Sequence, residues 1–148
     1  MDNTIKTVQR LTSQLRPVII DDLGLLEAIK WYANDFSGRY KIEFNIKIDK
    51  KIEVSKEASS IVFRIFQESL TNIARHAKAT KVDVQFSNFG NSYQLRISDN
   101  GIGINQLDME SKTAYGLMGM RERAASLGGR FEIMKKKSVG SVVTFIFK

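Results

Sequence analysis

Cysteine is absent from this chain, which excludes disulfides, thiolate metal sites and a cysteine nucleophile. That absence suits a reducing, cytoplasmic setting. Histidine occurs once, at His76, so a multi-histidine metal cluster cannot form, and proline occurs once, at Pro17. No apolar run approaches the roughly 18 residues of a membrane span, and the opening MDNTIKTVQR lacks the apolar centre of a signal peptide. The pattern G-x-x-x-x-G-K-[ST] is missing, which excludes phosphate binding of the P-loop kind as a motif. There is no internal repeat and no low-complexity tract.

What is present suits one domain with a real core, since 148 residues bury roughly 70% of their unfolded surface. The net charge of +7 favours an anionic partner of some kind. Its basic residues are dispersed, and the one tight run, Lys135-Lys136-Lys137, precedes SVGS as a solvated turn would. No aromatic stripe or recognised motif accompanies the charge, so direct nucleic-acid binding is not expected.

Ile5, Val8, Leu11 or Thr12, and Leu15 recur at helical spacing between Asn3 and Gln14, a narrow seam that wants a partner helix. Pro17 ends or kinks that helix, and Asp21 or Asp22 caps the next, DDLGLLEAIKWYANDF. KIEFNIKI (Lys41 to Ile48) alternates as a half-buried strand, and Ser55 caps a long helix from about Lys56 to Ala77. KVDVQF and SYQLRIS form a hairpin joined by the turn residues Asn88, Gly90 and Asn91. A polar loop from Asn105 to Ala114 precedes a helix from near Gly119 to Leu127, closed by Gly128-Gly129, and the strands RFEIM and SVVTFIF finish the chain. This order implies an α/β two-layer sandwich: a mixed, mostly antiparallel sheet with helices on one face.

Three patterns carry chemistry. In IVFRIFQESLTNIARHA, the residues Val62, Phe66, Ser69, Leu70 and Ile73 form the apolar sector, while Glu68, Asn72 and His76 recur at i, i+4, i+8 on its flank. A half-buried row of carboxylate, amide and imidazole needs partners: a hard cation with phosphate oxygens, or ordinary side-chain hydrogen bonds. In SYQLRISDNGIGI, period-2 alternation sets Tyr93, Leu95 and Ile97 on one face and puts Asp99 in the same inward register. Such an acid is either a turn-former or a buried acceptor beside a ligand. In YGLMGMRERAASLGG, the glycines permit close backbone approach and the helix start offers amides to an anion, although plain loop-to-helix geometry fits too.

Taken together, FQESLTNIARHA resembles the N box, SDNGIGI the G1 box and YGLMGMRERAASLGG the G2 box of the GHKL (Bergerat) ATPase fold, in the version found in nitrate-sensor-type sensor histidine kinases. LRPVIIDDLGLLEAIKWY is similar to the segment that joins their dimerisation helices to the ATP-binding domain. The resemblance implies residues 1–20 as the end of a dimerisation helix with its linker, and residues 21–148 as the catalytic, ATP-binding domain.

The resemblance also implies roles. Asp99 would accept a hydrogen bond from the adenine amino group, with Gly101 and Gly103 giving the nucleotide room. Asn72 would ligate Mg²⁺ bridging the phosphates, Glu68 would orient or activate at the phosphoryl-transfer end, and Arg75 and His76 would lie near ribose or phosphate. Gly116, Leu117 and Gly119 with the following helix start would hold phosphate, the loop from Asn105 to Ala114 would be the ATP lid, and Gly140-Ser141 would line the pocket. Arg75 stands where lysine is common and Ser141 where threonine is usual. The only histidine belongs to the N box, so the phosphoacceptor must lie elsewhere: the chain is expected to be a fragment of a homodimeric, two-component kinase, membrane-anchored or not, that serves a response regulator. The alternative of another class is a non-catalytic interaction module whose nucleotide pocket is regulatory or vestigial. A third is an ATPase of the same fold serving serine phosphorylation or DNA repair, which DDLGLLEAI disfavours.

Overall fold

The computed structural model describes Ile20 and residues 23–49, 52–103, 113–137 and 139–148, without the side chains of residues 76 and 113–115. The expected helix from Asn3 to Gln14, the capping acids Asp21 and Asp22, and most of the loop that begins at Asn105 lie outside these residues.

Among the described residues, three helices cover one face of a five-stranded sheet. Helix α1 (residues 23–40) leads to β1 (Glu43–Ile48), and α2 (Lys56–Asn72) continues into a π turn (Ile73–Ala77). The hairpin β2 (Lys81–Phe89) and β3 (Ser92–Asp99) follows, then α3 (Thr113–Ser126), β4 (Arg130–Lys135) and β5 (Ser141–Phe147). The strand order is β1-β2-β3-β5-β4; β1 and β2 run parallel and the other neighbours antiparallel. A parallel pair needs a crossover, and α2 supplies it between β1 and β2. No helix among the described residues is long and apolar enough to cross a membrane.

The core follows from two periodicities. Val82, Val84 and Phe86 on β2, Leu95 and Ile97 on β3, and Val143, Phe145 and Phe147 on β5 all point toward the helices and are buried. Helix α2 is buried more widely than one sector would allow: Phe63 and Ile65 are as inaccessible as Val62 and Phe66. The reason is a second neighbour, because α1 lays Tyr32 edge-on against Phe63 and Phe66, at ring separations of 5.7 and 6.0 Å.

Two boundaries differ from the sequence expectation. Asn88 belongs to β2 opposite Tyr93, with its N–H donating to the Asp49 carboxylate at 2.9 Å, so the hairpin turns on Gly90 and Asn91 alone. Helix α3 starts at Thr113, six residues before Gly119. Glycine costs a helix about 1 kcal/mol, and burying Leu117, Met120 and Ala124 at 3-4 spacing offsets that cost. Ser55 does cap α2: in extended backbone (φ −62°, ψ 160°), its hydroxyl accepts the Ala58 N–H at 3.1 Å. Ser55→Ala should therefore cost about 1 kcal/mol, read as a lower urea midpoint at unchanged slope, while Ser55→Asp should keep most of it.

Candidate functional site

The site is built around the corner that ends β3. Asp99 lies opposite Val82 and is 4% exposed, completing the row of Leu95 and Ile97 with a carboxylate. A buried charge is costly without partners. One oxygen accepts the Gly101 N–H at 2.9 Å, and among the described residues no lysine or arginine forms an ion pair with Asp99.

Neighbouring residues hold the corner from three sides. The Asn100 side-chain carbonyl accepts the N–H groups of Thr80 and Lys81, each at 2.9 Å, while its amide donates to the Thr80 hydroxyl at 2.9 Å. The Ile102 N–H donates to the Ala77 carbonyl at 2.7 Å. A Cβ on Gly101 would overlap that same carbonyl. The space this glycine leaves is therefore filled by the end of the π turn that follows α2. Gly140 closes the third side with φ +92°, and a Cβ there would run into the Asp99 carbonyl.

Against this corner opens a pocket between the end of the helix and the sheet. Ser69, Asn72, Ile73 and Ala77 form one wall; Asp99, Gly103, Ile133, Ser141 and Val143 form the rest. Ile133 and Ile97 each pair with Val143, so three strands lay an apolar floor beside a single carboxylate. The Asn72 side-chain nitrogen is buried with no hydrogen-bond partner, a state that costs roughly 1–3 kcal/mol. Rotation of the amide would present its oxygen in the same place. The Ser69 hydroxyl is already engaged, donating to the Ile65 carbonyl at 2.8 Å with the Met120 sulfur at 3.7 Å.

Of the residues the sequence singled out, the structure brings Asn72, Asp99, Gly103 and Ser141 into one pocket. Glu68 is half-buried one turn before Asn72, with its carboxylate against Gly116 of α3. Leu117 is a core residue at 3% exposure, and Gly119 faces the Arg123 guanidinium. Because α3 begins at Thr113, its orphan amides and positive dipole end belong to a turn ahead of Gly119, which corrects the helix start assigned there. Arg75 is exposed, and both it and His76 fall in the π turn, whose wider spacing breaks the i, i+4, i+8 row after Asn72. Burial depresses the Arg123 guanidinium pKa, as does repulsion from Arg64; Glu68 and Glu122 oppose that shift. Sequence reading missed Ala77, Ile133 and Val143 as walls, although the alternation in RFEIM and SVVTFIF sets the last two inward.

Gly140→Ala should destabilise the domain by more than about 2 kcal/mol, since it adds a backbone collision to the left-handed penalty of about 1–2 kcal/mol. Gly128→Ala, at φ +66° with nothing within 4 Å of the added carbon, should cost only that penalty. Equal urea midpoints for the two variants would contradict the close packing at Asp99.

Comparison with known proteins agrees with this geometry. Residues 57–148 match the model of the histidine kinase-, DNA gyrase B- and HSP90-like ATPase family. The chain is 32% identical over 145 residues to the oxygen sensor histidine kinase NreB of Staphylococcus carnosus, covering 97% of this chain and 42% of that protein. It is 32% identical over 136 residues to the sensor histidine kinase LiaS of Bacillus subtilis, covering 92% and 37%. It thus spans less than half the length of these relatives. The solved histidine kinase domain of a blue-light-activated histidine kinase from Erythrobacter litoralis shares the fold, with a TM-score of 0.71 at 20% identity over 83% of this chain and 60% of that one. Fold and family match agree: this chain belongs to the histidine kinase-, DNA gyrase B- and HSP90-like ATPase family.

Proposed function

We propose that the domain binds ATP with Mg²⁺ in this pocket and delivers the γ-phosphoryl group to a histidine on a dimerisation helix of a parent homodimeric kinase, for relay to a response regulator. Residues 1–20 are the end of that helix and its linker, residues 21–148 are the catalytic unit, and the domain works in the cytoplasm. The observation that carries the reading is Asp99, a buried carboxylate without a cationic partner among the described residues, at the side of an apolar pocket. A purine fits this arrangement. Its ring lies between the walls of Ile73, Ala77, Ile133 and Val143, and its exocyclic amino group donates to Asp99.

The polar groups outside the base site suit the remainder of the nucleotide. Among the described residues no three His, Cys, Asp or Glu side chains converge as a metal centre, whereas Mg²⁺ needs only one or two side-chain oxygens when phosphates and water supply the rest. Asn72, with its unpartnered buried amide, fits that single ligand position. The ion, when bound, neutralises charge on the phosphates. Arg75 and His76 lie on the turn that would face ribose or phosphate, and Gly116, Leu117 and Gly119 belong to the helix whose first turn would meet phosphate. The lid is the segment from Asn105 to the start of α3.

Glu68 serves the transfer end. As an imidazole nitrogen forms its bond to phosphorus, the terminal bridging P–O bond breaks and its electron pair leaves with ADP. The Glu68 carboxylate accepts the N–H on the far side of the ring, which turns the attacking lone pair toward phosphorus. The protein's part is alignment and electrostatics.

In calorimetric titration ATP should bind more tightly than GTP, by up to roughly 10⁴-fold, because guanine sets a carbonyl against Asp99; equal affinities would contradict the base assignment. Labelled ATP should phosphorylate an added histidine-bearing dimerisation fragment, and Asn72→Ala should abolish that transfer together with the Mg²⁺ dependence of binding. Nucleotide binding without transfer by the unmodified domain would favour the regulatory module instead.

A further inference from the structure

The Glu68 carboxylate is not fixed by its own helix alone. Gly116, Gly119 and Arg123 stand at i, i+3 and i+7 on α3 and make one stripe, beside the buried residues Leu117 and Met120 that seat the helix on α2. At both glycines the missing side chain is replaced by a charged group. A Cβ on Gly116 would lie 2.5 Å from a carboxylate oxygen of Glu68, and a Cβ on Gly119 would lie 2.8 Å from a terminal nitrogen of Arg123. The Arg123 side chain therefore runs back along its own helix toward Glu68, and the two charges interact between the helices. Arg64, one turn before Glu68 on α2, adds a second positive charge close enough to repel Arg123.

We propose that this stripe of α3 is a positioning device for Glu68: bare backbone at Gly116 forms the socket for its carboxylate, and Arg123, lying over Gly119, sets the direction in which that carboxylate points. The inference rests on the role assigned to Glu68 in phosphoryl transfer and goes beyond it. Three consequences follow from the geometry. Arg123 governs the transfer step rather than nucleotide capture, because it acts through Glu68, which does not line the base pocket. Displacing the carboxylate is easy, since the atom that an added Cβ would meet is the free end of a flexible side chain. Alanine also suits a helix better than glycine does, so Gly116→Ala should fold and still move Glu68.

The test uses the 148-residue chain with the added histidine-bearing fragment. Arg123→Met should lower kcat for transfer by about tenfold or more, as expected for a misdirected group, with KM for ATP held within about twofold; Arg123→Lys should recover most of the rate. Gly116→Ala should lower kcat similarly. In a Glu68→Gln background, neither Arg123→Met nor Gly116→Ala should reduce the remaining rate further, because residues acting through one group are not additive. The side-chain carboxyl ¹³C resonance of Glu68, read without nucleotide, should shift in Gly116→Ala and Arg123→Met and lie near the wild-type position in Arg123→Lys. An unmoved resonance in the first two variants overturns the proposal, as do losses that multiply in the Glu68→Gln background or an Arg123→Met chain whose defect is mainly in KM for ATP. Should the wild-type domain transfer nothing, the kinase reading fails, and the carboxyl resonance still decides whether α3 positions Glu68.

Discussion

The docking of one backbone corner onto the end of one helix holds the site together. Residues 99–103 leave β3, bond to Ala77 at the close of α2 and are pinned to the start of β2 through Asn100. Without that docking, Asp99 would sit at a frayed strand end in water, where a carboxylate has no reason to select a base. With it, the carboxylate is dry and fixed, and a hydrogen bond to it has the strength and the selectivity of the interior. The two glycines that matter most here work for the protein's own contacts: Gly101 admits Ala77, and Gly140 admits the Asp99 backbone.

The remainder of the architecture supports this corner. Inserting β5 between β3 and β4 brings Val143 next to both Ile97 and Ile133, which supplies the apolar floor. Helix α2 carries Glu68 and Asn72, and the π turn that continues it reaches the corner with Ala77. That turn then ends the regular spacing where the polar row leaves the core. Conversion from α to π geometry at functional sites is a recurring use of the π turn, and here it separates Asn72 in the pocket from Arg75 in solvent.

Charge is arranged to a different plan at the two ends of the site. At the base end a carboxylate has no cation beside it among the described residues, which makes it an acceptor in waiting. At the Glu68 end a carboxylate lies against the bare backbone of Gly116 and interacts with the charge of Arg123 on the same helix. A buried acceptor and a steered carboxylate do different work, one selecting and the other aligning. Glu68 stands one helical turn before Asn72, whereas the corner that carries Asp99 docks on Ala77 beyond it.

Local physics was enough for much of this. Period-2 alternation fixed the strands and the inward register of Asp99; the serine before an apolar-periodic run fixed the start of α2; and the residue types in three short segments carried the family likeness. Tertiary structure decided what depends on a neighbour. Asn88 pairs in β2 because Asp49 and Tyr93 meet it there, and α3 begins at Thr113 because burying Leu117 and Met120 outweighs the poor helix propensity of Gly116 and Gly119. Phe63 is buried because α1 lies over it. Likewise, the sequence shows that a glycine stands at 101, 116 or 140, but which atom occupies the space it leaves depends on segments distant along the chain. Backbone preference is written within a few residues, whereas packing is settled only where those residues meet.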